Sequence, residues 1–263
     1  MPLSGKVAIV TGSSRGIGKA IALGLAEKGA RVVVAARSET ERPGLPGTIH
    51  ATVAEIERLG GTGLAVRCNL REEEDIRALV RKTLDAFGRV DVLVNNAGVG
   101  NYSPFLETTV KQWDLVMDID LRAPFICCQA VATAMVGQGG GGSIINVSSH
   151  GADHVFSSTI GADPEAGIVV VGQSYGTAKA GLERFTWGLS VELGRHNIAV
   201  NALKPLRPVL TEGFQARRGD ADSSTWVTPE AMVKAAIFLA QQDAGGLSGA
   251  IVTDEEIVRR LGL

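Results

Sequence analysis

The stretch that most constrains this chain lies near its start. Val7-Ala8-Ile9-Val10 is a short continuous apolar run, the pattern of a strand buried on both faces of a parallel sheet. Thr11-Gly12-Ser13-Ser14-Arg15-Gly16-Ile17-Gly18 follows, and a helical pattern then continues through Leu25 to about Lys28. Strand, glycine-rich turn and helix is the context that a dinucleotide motif requires. Its glycines allow a tight turn and close backbone approach, and the helix N-terminus receives a pyrophosphate. Gly12, Ser14, Arg15, Gly16, Ile17 and Gly18 are therefore candidate contacts to a dinucleotide. The spacing is Gly-x-x-x-Gly-x-Gly, and a purely structural turn is the competing reading.

The rest of the chain repeats the alternation of strand and helix. Strands are expected at Arg31 to Ala36, Leu64 to Cys68, Asp91 to Val94, Ser143 to Val147, Ile198 to Leu203 and Gly249 to Thr253. Helices are expected from Ile49 to Leu59 behind a Thr48 cap, and from about Glu72 to Phe87. A long one runs from Lys111 to about Val136, and another from Thr228, with Pro229 in its first turn, to about Gln241. The pattern predicts an α/β Rossmann fold, a doubly wound parallel sheet of seven strands with helices on both faces. At 263 residues, with 45% hydrophobic and 21% charged side chains, the chain suits one such domain.

Composition narrows the classes of function. A net charge of −2 advertises no basic surface for nucleic acid or anionic membrane. No apolar run is expected to be long enough to span a bilayer, and a strand so close to the N-terminus leaves no room for a signal peptide. Cys68, Cys127 and Cys128 lie in apolar segments without metal-ligand spacing, so no metal is expected. They suggest buried thiols in a reducing compartment, the cytoplasm.

The second strand ends at Arg37-Ser38, where an acidic residue would bind the ribose diol of an unphosphorylated dinucleotide. The first acid afterwards is Glu39. Arg37 and Arg15 are instead placed to clamp a 2′-phosphate with the Ser38 hydroxyl, which favours NADP over NAD. Two solvated arginines are the alternative. Asn95-Asn96-Ala97-Gly98 stands at the C-terminal end of the fourth strand, where ligands of open α/β sheets sit.

Tyr175-Gly176-Thr177-Ala178-Lys179 supplies the chemistry. Residues four apart on a helix share a face, so the Tyr175 hydroxyl and Lys179 ammonium can meet one ligand. A phenol normally titrates near pH ~10, and a nearby fixed positive charge favours its ionised form. The pair is a candidate acid/base unit for a hydroxyl or carbonyl.

With Thr11–Gly18, Asn95–Gly98 and Tyr175–Lys179 in this order and on these elements, the chain resembles a short-chain dehydrogenase/reductase over nearly its whole length. Leu45-Pro46-Gly47-Thr48-Ile49, Ala199-Val200-Asn201-Ala202-Leu203 and Thr253-Asp254-Glu255-Glu256 resemble the hydroxysteroid-dehydrogenase-like subgroup. The resemblance implies NADP(H)-dependent interconversion of a secondary alcohol and a ketone, with a lipid- or steroid-like substrate in view. Tyr175 would be the acid/base, Ser149 the donor to the substrate oxygen, and Lys179 the partner of Tyr175 and of the nicotinamide ribose. Asn69, Leu70, Asn96, Ala97, Gly98, Pro205, Val209 and Thr211 would join the cofactor contacts. A homodimer or homotetramer is implied, and a substrate lid over residues 211–226.

Two departures stand out. The family holds an asparagine in its long central helix, serving a proton relay to the lysine; Asp120 stands there, and an ionised carboxylate accepts hydrogen bonds but cannot donate them. A relay through the backbone carbonyl would survive the change, and one through an amide side chain would not. The glycine usual after the sixth strand is replaced in Pro205-Leu206-Arg207-Pro208. These departures motivate a second reading, an NADP-binding sensor or scaffold with little catalysis. Arg207 fits either an anionic ligand or a surface salt bridge, and His150 either the substrate border or the surface. The Gly151–Ser174 stretch is long enough to shape a substrate entrance or to pack on another subunit.

Overall fold

The structure, a computed structural model, describes residues 1–41, 43–153, 172–212, 224 and 226–263. Its frame is a parallel sheet built from β1 (Val7–Thr11), β2 (Arg31–Ala36), β3 (Thr62–Arg67), β4 (Val92–Asn95), β5 (Gly142–Val147), β6 (Ile198–Lys204) and β7 (Ile251–Thr253). The seven strands lie in the order β3-β2-β1-β4-β5-β6-β7. The order reverses between β1 and β4, so the crevice for a ligand opens at the C-terminal ends of those two strands.

The inner strands β1, β2, β4, β5 and β6 are buried on both faces because their side chains alternate between two cores. Ala8, Val10, Val32, Val34, Val92 and Val94 enter one core. Their neighbours Val7, Ile9, Val33, Ala35 and Leu93 enter the other. The first core is covered by α1 (Gly16–Glu27), α2 (Ile49–Arg58), α7 (Glu230–Leu239) and α8 (Asp254–Leu261), through Ile21, Leu25, Ile56, Met232, Leu239 and Ile257. The second is covered by α3 (Glu73–Phe87), α5 (Ala123–Gln138) and α6 (Gln173–Gly194).

Local sequence sets the helix ends. The Thr48 side chain accepts from the Ala51 N–H, capping α2 as expected. Glu73, Glu74 and Asp75 complement the N-terminal dipole of α3, and Gly88 ends it in the left-handed conformation at φ 73°. Thr109 and Gln112 form a reciprocal capping box on α4 (Val110–Met117).

Three expectations need correction. The long central helix is not uniform: a π-helical turn, Asp118–Arg122, joins α4 to α5 and turns Asp120 fully inward. The run Val110–Gln138 is, by length and composition, apolar enough to cross a membrane. Its most apolar window is 56% buried and α5 packs on α3, the pattern of a core helix. Thr228 does not cap α7; Pro229 takes the cap position and Glu230 opens the helix. Beyond the last strand, Asp254 starts α8, with acids in its first turn and Arg259 and Arg260 in its last.

Candidate active site

The glycine-rich turn is assembled by hydrogen bonds from β1 to the segment after β4. The Thr11 hydroxyl donates to the Val94 carbonyl at 3.3 Å and accepts from the N–H groups of Asn96 at 3.0 Å and Ala97 at 3.2 Å. The Asn96 amide donates back to the Thr11 carbonyl at 2.9 Å. Ser13, which the sequence did not single out, is buried and bonds Val10 and Ala35, tying the turn to β2.

The glycines of this turn let it pack directly on the segment after β4. A Cβ on Gly12 would lie 2.7 Å from the Ala97 Cα, and one on Gly18 would lie 2.3 Å from the Asn96 side-chain nitrogen. Gly12 and Gly16 also take positive φ values of 67° and 59°, which side chains disfavour. Gly16 opens α1, so its N–H points to where a phosphate would sit. In this structure that N–H donates to the Glu212 carboxylate at 3.0 Å, and Thr211 packs on the same glycine. Glu212 had no sequence signal, since nothing local links it to a turn 196 residues away.

The other expected cofactor residues fall as follows. Arg15 reaches the carbonyls of Pro46 at 2.8 Å and Gly47 at 2.7 Å, and the Ser38 hydroxyl at 3.3 Å. Arg15 and Ser38 thus meet at the end of β2, where Arg37 stands exposed. Asn69 and Leu70 follow β3, and the Asn69 N–H donates to Asp75 at 2.8 Å. Val209 is buried and bridges to Val227. Ser14 and Gly18 are buried, and Ile17, Ala97 and Pro205 half-buried, around the same crevice. Arg207 makes the surface ion pair with Glu255, at 2.7 Å. Beside it, buried Asp254 accepts from the Leu206 N–H at 2.7 Å, and burial is the main force pushing its carboxyl up.

The chemical residues converge at the ends of β5 and α6. Ser149 follows β5, and its hydroxyl accepts from the Gly151 N–H at 3.1 Å. A Cβ on Gly151 would lie 3.3 Å from the Tyr175 ring and 3.6 Å from the Ser149 hydroxyl, so the two side chains flank one glycine. Tyr175 is half-buried. Its ring packs against Tyr102 with centroids 5.9 Å apart, a contact the sequence gave no reason to expect.

Lys179 lies beneath. Its ammonium is 5.6 Å from the Tyr175 ring centroid, donates to the Val147 carbonyl at 2.9 Å and meets the Asp120 carboxylate at 3.1 Å. Asp120 also accepts from the Val99 N–H at 2.9 Å, next to Gly98. Burial alone would push Lys179 down; Asp120 and then Tyr175 outweigh it and hold the ammonium above the ordinary lysine value.

Behind Ser149 runs a second polar chain. The Ser148 hydroxyl donates to Glu183 at 2.7 Å, and Lys204, largely buried at the end of β6, pairs with Glu183 at 3.3 Å and Asp153 at 2.5 Å. Exposed His150 pairs with Asp153 at 2.6 Å. Most of the Gly151–Ser174 stretch (154–171) and of the lid segment (213–223 and 225) lies outside the described residues.

A glycine-rich turn at the sheet switch point thus stands beside a serine, tyrosine and lysine at adjoining strand and helix ends. The comparisons give the family. The short chain dehydrogenase family profile matches residues 6–221. Hydroxysteroid dehydrogenase-like protein 2 of Xenopus tropicalis is 35% identical over 272 aligned residues, covering 100% of this chain and 61% of that protein. The 3-oxoacyl-[acyl-carrier-protein] reductase of Synechocystis is 39% identical over 217 residues, 81% of this chain and 79% of that protein. A metagenomic short-chain oxidoreductase solved in complex with NADP superposes with a TM-score of 0.74 at 32% identity, covering 96% of this chain and 98% of that one. The chain belongs to the short-chain dehydrogenase family, near the hydroxysteroid-dehydrogenase-like subgroup. It spans about three fifths of the length of those hydroxysteroid-dehydrogenase-like relatives.

Proposed function

We propose that this protein interconverts a secondary alcohol and a ketone with NADP(H), using Tyr175 as the acid/base. The observation that carries the reading is the buried Lys179 ammonium fixed beneath the half-buried Tyr175, with the Ser149 hydroxyl across Gly151. Tyr175 gives a proton to the substrate oxygen in reduction and takes it in oxidation. Ser149 donates to the same oxygen as charge develops on it. The nicotinamide, when bound, supplies the hydride chemistry; Gly12–Gly18 and the Asn96–Gly98 turn would hold its dinucleotide. Arg15 with Ser38, and Arg37 beside them, favour the 2′-phosphorylated form, as does the NADP complex of the metagenomic relative. The relatives' names span a hydroxysteroid-like protein and an oxoacyl reductase, both of hydroxy/keto chemistry. A lipid- or steroid-like ketone is the first class to assay.

The test is Tyr175→Phe, assayed over a ketone panel with NADPH. Turnover should fall by at least about a hundredfold, the usual worth of a positioned acid/base, while NADPH affinity stays within about twofold. Retained turnover would sink the assignment. NADPH binding by the unaltered protein with no turnover on any ketone would favour the sensor reading instead.

The assembly we propose is a homo-oligomer built through α5 and α6. That face exposes Phe125, Trp187 and Val191 beside a groove of about 590 Å³. On α6, Gly188 lies midway between exposed Arg184 and Glu192. Two copies crossing antiparallel at Gly188 would set each Arg184 against the other's Glu192, a self-complementary two-fold contact. Light scattering after gel filtration should show Arg184→Glu dissociating and R184E/E192R reassociating. A monomer before any substitution would refute this assembly.

A further inference from the structure

We propose that Asp120 is the buried counter-ion of the proton-transfer centre: it holds Lys179 charged and fixed, and it makes the site behind Tyr175 electrically neutral. The inference rests on the Tyr175 reading above and concerns what governs that group. Asp120 is 0% exposed and Lys179 3%. The π turn points the Asp120 carboxylate inward, and it touches parts of two other elements that form the site. One oxygen takes the Val99 N–H at 2.9 Å, just after the Asn95–Gly98 turn. The other lies 3.1 Å from the Lys179 ammonium, which in turn donates to Val147 on β5 at 2.9 Å. Asp120 therefore joins the β4 turn to α6 and, through Lys179, to the strand that carries Ser149.

Charge gives the contact its consequence. The titratable groups facing Lys179 are Asp120 from the π turn, Tyr175 from its own helix and Tyr102 from the segment after β4. An isolated ammonium under Tyr175 would favour the phenolate strongly in so dry a place. An adjoining carboxylate cancels most of that pull. Asp120 is thus a positioning residue: it fixes the Lys179 ammonium beneath the Tyr175 ring and offsets its charge. Asp118, two residues earlier, does not share this role, because it pairs with Arg71.

The chain has two tyrosines, so the test needs no substrate. In a Tyr102→Phe background, Tyr175 alone gives the ultraviolet absorbance of tyrosinate. Adding Asp120→Asn should move the midpoint of that absorbance to lower pH by about one unit. A midpoint that stays or rises overturns the proposal, since a merely structural carboxylate would alter melting without moving it. Should Y102F/D120N fail to fold, melting temperatures decide. Lys179→Met leaves a buried unpaired carboxylate, so K179M should melt below D120N/K179M. Equal melting, or a lower value for the double variant, overturns the counter-ion. Turnover by Y175F would defeat the oxidoreductase reading and leave these results standing.

Discussion

Glu212→Gln should tighten cofactor binding, although it removes a hydrogen-bonded carboxylate from the structure. The Glu212 carboxylate accepts the Gly16 N–H at 3.0 Å, and Gly16 is the first residue of α1. That amide is one of the donors a pyrophosphate would need. The dinucleotide must therefore displace an anion before it can seat. An acid at a helix N-terminus contributes about 0.3 to 1 kcal/mol when exposed and up to about 2 kcal/mol when partly buried. Glu212 and Gly16 are both half-buried, so about 1 kcal/mol is a fair cost for moving the carboxylate away. With about 1.4 kcal/mol per tenfold, that is roughly fivefold in Kd. Glutamine keeps the shape and one acceptor oxygen, so E212Q should gain about threefold. E212A, which loses the acceptor as well, should gain about fivefold or more. Calorimetric titration with NADPH reads this directly. The gap between the variants and the unaltered protein should narrow at high salt, because a half-exposed charge is screened. Weaker binding by E212Q would refute the reasoning and make Glu212 a supporting residue of the bound state. Absence of binding in all three proteins would instead refute the dinucleotide site.

Other perturbations test the frame and the cradle. Asp91 accepts from the Val7 N–H at 2.9 Å and from Arg89 at 2.8 Å, beyond the strand ends that form the site. Burial works to raise its carboxyl, but Arg89, the Val7 N–H and Lys6 hold it below the usual range. A depressed carboxylate stabilises the fold above its unfolded pKa, near ~4, and that stability is lost as pH falls through the folded value. Asp91→Asn should thus cost about 1 to 3 kcal/mol at neutral pH by urea unfolding, shrinking in acid; an equal loss at pH ~3 would contradict the ionic account. Gly18→Ala would force a Cβ to 2.6 Å from the Gly12 carbonyl oxygen. It should cost about 1 to 3 kcal/mol and abolish measurable NADPH binding, whereas wild-type affinity would show that the turn is no cradle.

The fold was legible because its main signals are local and repeated. Val7–Val10 and Val32–Ala36 are unbroken apolar runs, Ile198–Leu203 is interrupted only by Asn201, and a strand covered on both faces suits them. The glycine turn was equally plain, since Gly12 and Gly16 take positive φ and Gly18 would strike Asn96 and the Gly12 backbone if given a side chain. Boundaries were weaker where chemistry was ambiguous. Pro229 served as the cap of α7 because its fixed φ suits the step into a helix, leaving Thr228 outside. The eight residues of α8 carry few apolar positions, so their period is hard to see, although the acid-first, arginine-last order was present.

What the sequence could not disclose are contacts made across the fold between charged groups that carry no motif. Lys204, Glu183 and Asp153 look like ordinary surface residues in the chain, yet they close a network behind Ser149. Asp120 was visible as a departure, but its meaning depended on a π turn that no local pattern announced. The carboxylate itself faces Lys179, so the side chain, and not only the backbone at this position, acts on the lysine. An ionised carboxylate brings no proton to donate, and what it brings to the centre is charge. The same residue that weakens the resemblance to an amide-based relay therefore strengthens the case for an ordered, charged Lys179.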